Sequence, residues 1–244
     1  MSGQLVTHRT SGLVLSLDET VANDRIIEEI RRGRYEASEL SMASRFVRKE
    51  DRVLELGAGI GFISAGVMRN VGPAYYAAVE ADARLIPHIR ETHRKNGVTG
   101  VEVINAAFVS DPQVLKAGFV EFTLHREFWR SGIGQDQEGV TETVRVPAVD
   151  ASAFIADKKI TVLMADIEGA ELDLFRDLRV SGLKRIVLEL HPHKIGKAGM
   201  IEIFSGLCAD GFAYNAALSE GPVVCFEAVG DTDNSEAELF TRFA

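Results

Sequence analysis

Cysteine is scarce in this sequence, with only Cys208 and Cys225 among its 244 residues. Two thiols cannot build a disulfide framework, and these two lack the paired spacing of a cysteine-based zinc site. Both lie in apolar stretches, "SGLCAD" and "VVCFEA", which predicts that both are core thiols. The fold must therefore depend on an apolar core rather than on cross-links.

Basic residues and long apolar runs are lacking as well. The chain has 27 Lys and Arg against 36 Asp and Glu, and this net charge of −9 argues against a nucleic-acid partner. No apolar run approaches the roughly 20 residues of a membrane-spanning helix, and no signal peptide is recognisable. With 46% hydrophobic residues, the chain is expected to be a cytoplasmic protein with a sizeable core and no membrane partner. The oligomeric state cannot be read from the sequence.

Short apolar runs alternate with helical stretches through most of the chain. Runs at 52–57, 74–80, 101–108, 159–167 and 184–190 predict five strands. Strands that alternate with helices in this way are typical of an α/β fold, a mostly parallel sheet with helices on both faces. Two further runs, "FAYNAAL" and "VVCFEAV", predict an antiparallel C-terminal hairpin at the sheet edge.

Two regions depart from this alternation. Residues 1–50 are predicted to form an N-terminal helical extension, with a helix from about Asn23, ahead of a main domain at 51–244. Within 110–150, "FVEFTLH" and "TVRVPAV" flank the polar loop "RSGIGQDQEG", which predicts an antiparallel excursion or lid. We expect this excursion and the first 40 residues to hold a polar substrate, and the candidate contact residues are Tyr35, Arg126, Trp129 and Arg130.

Three glycines within five residues follow the first predicted strand, in "DRVLELGAGIGF" (51–62). Parallel sheets bind ligands at the carboxyl ends of their strands, where a helix N-terminus attracts an anion. A turn that needs glycine only for its backbone angles is one alternative, although one turn seldom needs three. A dinucleotide site is another, but Phe62 stands where that fingerprint has a small residue. The spacing therefore favours a smaller adenosyl ligand, and Glu80, about 20 residues on, suits its ribose hydroxyls.

Five segments in succession resemble the FkbM family of S-adenosylmethionine-dependent methyltransferases. They are "DRVLELGAGIGFIS", "YYAAVEADARL", "NGVTGVEVINAAF", "VLMADIEGAELDLF" and "IVLELHP", from about Tyr35 to Pro192. The most specific part is "ADIEGAE", which resembles the family's D-x-E-G-A-E signature at the fourth strand. The resemblance implies a Rossmann-like class I methyltransferase sheet of seven strands, with S-adenosyl-L-methionine as cofactor. It also implies methyl transfer to a hydroxyl of a small molecule or glycan, usually a sugar or a secondary metabolite.

The resemblance also implies where the cofactor lies. Its methionine end would lie at the glycine turn, its ribose at Glu80, and its adenine beside Ala81 and the end of the third strand. The residues carried over by position are Glu55, Gly57, Ala58, Gly59, Gly61, Glu80, Ala81, Asn105, Ala106 and Ala107. Many methyltransferases have an aspartate near the last of these positions, where this chain reads "NAA".

The predicted catalytic residues are Asp166, Glu168 and His191, which follow the fourth and fifth strands. An alcohol becomes a good nucleophile when it loses its proton, so a carboxylate or imidazole base is expected. As alternatives, Glu168 and Glu171 could complement a helix dipole, and His191 could be a plain loop histidine. The same residues could gather a divalent metal, but nothing in the spacing demands one, and no metal site is predicted.

The sequence thus favours an O-methyltransferase. The alternatives left open are an NAD(P)-dependent oxidoreductase and a non-catalytic cofactor-binding domain of the same fold.

Overall fold

A seven-stranded sheet organises the protein, for which a computed structural model describes residues 4–18, 23–133 and 140–230. The strands are β1 (Gln4–Thr7), β2 (Val14–Leu17), β3 (Arg52–Leu56), β4 (Tyr75–Glu80), β5 (Val101–Asn105), β6 (Ala107–Val109), β7 (Phe119–His125), β8 (Gly132–Ile133), β9 (Val140–Asp150), β10 (Val162–Ala165), β11 (Arg185–Glu189), β12 (Phe212–Tyr214) and β13 (Val223–Ala228). The helices are α1 (Asp24–Arg32), α2 (Ala37–Phe46), α3 (Phe62–Asn70), α4 (Ile86–Lys95), α5 (Pro112–Ala117), α6 (Ala151–Lys158), α7 (Glu171–Asp177) and α8 (Pro192–Ala209).

The main sheet has the strand order β12-β13-β11-β10-β3-β4-β5. Its five strands from β11 to β5 are parallel, whereas β13 runs antiparallel to both β11 and β12. The order reverses between β3 and β10, and the crevice at such a switch point is where α/β sheets bind ligands. This topology confirms the predicted α/β, Rossmann-like class I methyltransferase sheet, mostly parallel, with an antiparallel C-terminal hairpin.

The central strands are apolar along their whole length because helices cover both faces. In β3, Val53 packs into the core beneath α2, α3 and α4, while Leu54 and Leu56 pack into the core beneath α6, α7 and α8. Cys225 in β13 is buried, as predicted. The prediction for Cys208 was wrong, because this residue lies on the outer side of α8 and is exposed.

After β5 the chain leaves the main sheet, and β6, β7, β8 and β9 form a second sheet in the order β6-β9-β7-β8. β7 and β9 pair antiparallel over most of their length, as the alternating pattern indicated. The single strand expected over 101–108 is divided at Ala106, because β5 pairs with β4 and β6 pairs with β9. Residues 134–139, which belong to the loop predicted as a lid, lie outside the described residues.

The N-terminal segment shares its core with the sheet. It begins with a hairpin of β1 and β2, which the helical extension expected over 1–50 did not include. α1 follows, capped by the Asn23 side chain, which accepts the N–H of Ile26. Leu15 and Ile30 are buried in the same core cluster as Val53, and a domain boundary near residue 50 stays a proposal. Among the described helices, none has the length and apolar content needed to cross a bilayer.

Candidate functional site

A cavity of about 420 Å³ lies at the carboxyl ends of β3, β4 and β10. It is bounded by the glycine turn, by α1, by the loops after β4, β5 and β10, and by the β7–β8 region. The predicted site residues that line it are Gly57, Gly59, Glu80, Ala81, Ala106, Ala107, Asp166 and Glu168. Those that stand outside its lining are Glu55, Ala58, Gly61, Asn105 and His191. The cavity therefore unites the predicted cofactor side with two of the three predicted catalytic residues.

Glycine occupies the three positions of the turn for different physical reasons. All three have a left-handed φ, of 84° at Gly57, 53° at Gly59 and 78° at Gly61. A Cβ on Gly57 would overlap the Asp166 backbone, and a Cβ on Gly61 would lie 3.1 Å from the Cα of Ile89 in α4. A Cβ on Gly59, by contrast, would meet nothing closer than 3.8 Å. Packing thus requires two of the glycines, and the third keeps the cavity open.

Glu80 ends β4 with its carboxylate fixed against the turn. Its Oε2 accepts the N–H of Gly59 at 2.8 Å, and its Oε1 accepts the N–H of Asp82 at 2.8 Å. Burial raises the pKa of Glu80 to about 7, against the lowering effect of these two hydrogen bonds. Each carboxylate oxygen keeps acceptor capacity, so the pair can still accept two hydroxyls from the cavity.

Asn105 supports the same strand end from behind. Its Nδ2 donates to the carbonyl oxygens of Glu80 and Ala81, at 2.9 and 3.0 Å. Arg84 ties this region to the second sheet, because it pairs with Asp82 and donates to the carbonyl oxygen of His125 at 3.1 Å. These contacts position Glu80 and Ala81 without entering the cavity.

Glu55 faces a smaller chamber of about 70 Å³, which also has Glu36 and Glu189 in its wall. The Tyr76 hydroxyl donates to its Oε2 at 3.1 Å, and burial raises the pKa of Glu55 to about 8. The pKa of Glu36 is likewise raised to about 8, chiefly by burial. Asp166 lines both this chamber and the main cavity, so the two spaces adjoin at that residue.

Asp166, Glu168 and His191 converge where β10 and β11 end. His191 Nε2 lies 3.7 Å from Asp166 Oδ1 and 3.5 Å from Glu168 Oε2. Its Nδ1 lies 2.9 Å from Oε1 of the fully buried Glu171. Burial lowers the pKa of His191, but the hydrogen bond to Glu171 and the charge of Glu168 outweigh it, so the net shift is upward. The ring therefore has a fixed orientation, with Nε2 towards the two carboxylates.

Asp166 carries an unfavourable charge. Burial, followed by the charges of Glu189 and Glu168, raises its pKa well above the usual range. Its side chain is 46% exposed, but that surface faces the two cavities. A carboxylate in this position needs a polar or cationic partner from the cavity.

The turn between β10 and α7 is held by a lysine from α8. Glu168 has a φ of 54°, which few non-glycine residues adopt. Lys194 Nζ donates to its carbonyl oxygen at 2.9 Å and to its Oε2 at 2.7 Å. Glu171 begins α7 and accepts the N–H of Gly169 at 3.1 Å. The helix-start role considered for Glu171 therefore coexists with its contact to His191.

Several cavity residues had no clear sequence signal. Phe122 and Phe128 line the main cavity, and Glu36 lines both spaces. Glu189 was not predicted as a site residue, although its position could have indicated one, because a charged residue within the buried run of β11 is unusual. Of the expected lid residues, Tyr35 and Trp129 line the cavity, whereas Arg126 and Arg130 are exposed outside it.

Residues 106–214 match the family model described as the methyltransferase FkbM domain. The match spans less than half of the chain, and it includes β10, α7 and β11 but not the glycine turn or Glu80. It confirms the resemblance found in the sequence, and with it a methyltransferase that uses S-adenosyl-L-methionine. A comparison with curated protein sequences gives no match.

Solved structures with a similar chain course include a methyltransferase, a methylase and a protein solved in complex with AdoMet. Precorrin-6y C5,15-methyltransferase from Geobacter metallireducens GS-15 is 11% identical, with a TM-score of 0.45 over 85% of this chain and 92% of that chain. TYW2 from M. jannaschii, solved in complex with AdoMet, is 12% identical, with a TM-score of 0.47 over 94% and 88%. Ribosomal protein L11 methylase from Lactobacillus delbrueckii subsp. bulgaricus is 13% identical, with a TM-score of 0.46 over 86% and 81%. Likenesses this distant do not bear on the acceptor.

Proposed function

We propose that this S-adenosylmethionine-dependent methyltransferase, which carries an FkbM domain match at residues 106–214, methylates a hydroxyl of a sugar, glycan or secondary metabolite. The observation that carries the proposal is that one cavity has Glu80 in one wall and Asp166 in another. The first offers two oxygens that can accept ribose hydroxyls, and the second is a carboxylate whose ion-pair partner, His191, lies 3.7 Å away.

The cofactor would lie between the glycine turn and the ends of β4 and β5. Gly59 fits this assignment because a side chain there would enter the cavity. Glu80 would accept the ribose hydroxyls, and the small residues Ala81, Ala106 and Ala107 would leave room for the adenine. When bound, the cofactor supplies a methyl group on a sulfonium, and a C–O bond forms as the C–S bond breaks with its electron pair left on sulfur.

The acceptor would lie on the side of Asp166 and Glu168. Methyl transfer needs an aligned oxygen and the removal of one proton. Asp166, Glu168 and His191 would orient the hydroxyl and receive that proton, with His191 held in place by Glu171. Tyr35, which also lines the cavity, can face a sugar ring with its aromatic surface.

Cofactor binding can be tested by titration calorimetry of the full chain with S-adenosylmethionine and its demethylated product. We expect Glu80→Ala and Gly59→Val to weaken binding at least tenfold. The matched control is Glu202→Ala, which removes an exposed carboxylate on α8. No heat with either ligand, or unchanged binding in Glu80→Ala, would contradict the assignment.

The acceptor can be tested with methyl-labelled cofactor and a panel of sugar and polyketide alcohols. We expect transfer to at least one alcohol, and Asp166→Asn should keep cofactor affinity while slowing transfer at least a hundredfold. Transfer to amines alone would overturn the hydroxyl proposal. Full transfer by Asp166→Asn would remove this residue from catalysis.

A further inference from the structure

The Asp-Glu-His cluster (Asp166, Glu168 and His191) has the spacing of a metal site. Each residue offers one ligand atom, and the three atoms lie within 4.8 Å of one another. For metal–ligand bonds of about 2.1 Å, donor atoms in an octahedral shell are about 3 Å apart when adjacent and about 4.2 Å apart when opposite. His191 Nε2 lies 3.5 and 3.7 Å from the two carboxylate oxygens, beyond the usual hydrogen-bond distance of about 3 Å. The imidazole nitrogen therefore faces both acids with a gap between them.

Glu171 fixes the imidazole as a ligand-supporting carboxylate does. Metal-binding histidines commonly donate their second ring N–H to a carboxylate, which sets the tautomer and the ring orientation. Here Oε1 of the fully buried Glu171 lies 2.9 Å from Nδ1, so a neutral ring that donates from Nδ1 to Glu171 can use Nε2 as a metal ligand. Within the described part of the chain, Oε2 of Glu171 is buried with no hydrogen-bond partner.

Carboxyl groups outnumber basic side chains around the cluster. Lys194 pairs with Glu168 and offsets one carboxylate. Glu36 and Glu189 share the adjoining chamber with Asp166. A divalent cation at the cluster would compensate this excess directly.

We propose that Asp166, Glu168 and His191 bind a divalent cation of the Mn²⁺ type. Carboxylates suit Mg²⁺ and Mn²⁺, and the imidazole shifts the preference towards Mn²⁺. Three protein ligands leave coordination positions open on the cavity side, where a hydroxyl can bind and become more acidic. With the cation bound, the hydroxyl proton would pass to water, and the three side chains would act as ligands and not as the base. This catalytic role rests on the proposed function, whereas metal binding itself does not.

The test is a Mn²⁺ titration of the full chain after treatment with a chelator, with free Mn²⁺ followed by electron paramagnetic resonance. We expect one saturable site per chain, for which Mg²⁺ competes. Asp166→Asn and His191→Ala should each weaken Mn²⁺ binding at least tenfold, and Glu171→Gln, which alters only the support of the ring, by about tenfold. The matched control, Asp173→Asn, removes an exposed carboxylate of α7 and should leave binding unchanged.

Circular dichroism and cofactor titration of each variant show whether it is folded, so lost metal binding can be attributed to the site. No saturable binding up to 1 mM Mn²⁺ (about the weakest affinity typical of hard cations), or equal binding in wild type and His191→Ala, overturns the proposal. Cofactor binding without Mn²⁺ binding would overturn the metal site and leave the proposed function standing. Mn²⁺ binding without cofactor binding would support the metal site and count against the proposed function.

Discussion

A Cβ atom on Gly57 would overlap the carbonyl oxygen of Asp166. These two residues belong to the turns after β3 and β10, which are neighbouring parallel strands with Leu56 opposite Ala165. The Asp166 N–H also donates to the carbonyl oxygen of Leu56 at 3.0 Å. One backbone approach therefore fixes the distance between the glycine turn and the acidic end of β10.

Gly57→Ala should destabilise the protein by about 3 kcal/mol or more, because the added carbon forces the two strand ends apart. The matched control is Gly97→Ala, which has a similar left-handed φ of 67° but no atom within 4 Å of the new Cβ. It should cost only the conformational strain, about 1 kcal/mol. Urea unfolding of both variants gives the comparison, and equal losses would show that the Asp166 contact does not matter.

The central sheet could be predicted from the sequence because its strands are buried on both faces, so each reads as an uninterrupted apolar run bounded by turns. The elements that the sequence did not predict depend on pairing with residues that are distant in the chain. The run "VEVINAAF" has no internal break in its sequence. The strand is nevertheless interrupted at Ala106, because the residues after it pair with β9 and not with β4. The hairpin of β1 and β2 has short strands, and it is held by contacts such as Val14 with Asn96, 82 residues away.

The site was predictable at its strand ends and less so elsewhere. Asp166 could be proposed because a carboxylate that ends an apolar strand needs a partner or a task, and Glu80 because of its position after the glycines; both line the main cavity. Glu55 was placed with the cofactor, but the pleat of β3 turns it to the smaller chamber, opposite Leu56. Glu36 comes from the N-terminal segment, whose position over the sheet the local sequence does not specify.

Arg185 and Asp51 form a buried ion pair, with side chains only 6% and 2% exposed and an Nη2–Oδ1 distance of 2.8 Å. Arg185→Met should lower the free energy of unfolding by about 3–5 kcal/mol, because it leaves Asp51 buried without its counter-charge. Arg176→Met is the control, since Arg176 pairs with exposed acids and should contribute less than about 1 kcal/mol. Thermal and urea unfolding measure both, and similar losses would refute the assigned difference.

Glu55 should make the protein less stable as the pH rises. Its pKa is about 8 in the folded chain against an ordinary 4.5, so folding favours the protonated form. The stabilising contribution is full below about pH 4.5 and is lost as the pH rises towards 8. Glu55→Gln stays neutral and keeps an acceptor for Tyr76, so its unfolding free energy should fall less over this range, by up to a few kcal/mol. Glu36 and Glu80 contribute to both proteins, and parallel stability curves would exclude a raised Glu55 pKa.

Asn105→Ala should weaken S-adenosylmethionine binding although Asn105 does not line the cavity. Its side chain holds the carbonyl oxygens of Glu80 and Ala81, and the loss of two such bonds costs about 1–3 kcal/mol, or about 5- to 150-fold in Kd. Asn96→Ala removes similar amide contacts at the hairpin of β1 and β2, to the carbonyl oxygens of Val14 and Thr92. It should lower stability without changing cofactor affinity. Calorimetry with each folded variant decides the matter, because equal effects on Kd would mean that Asn105 supports the fold as a whole and not the orientation of Glu80.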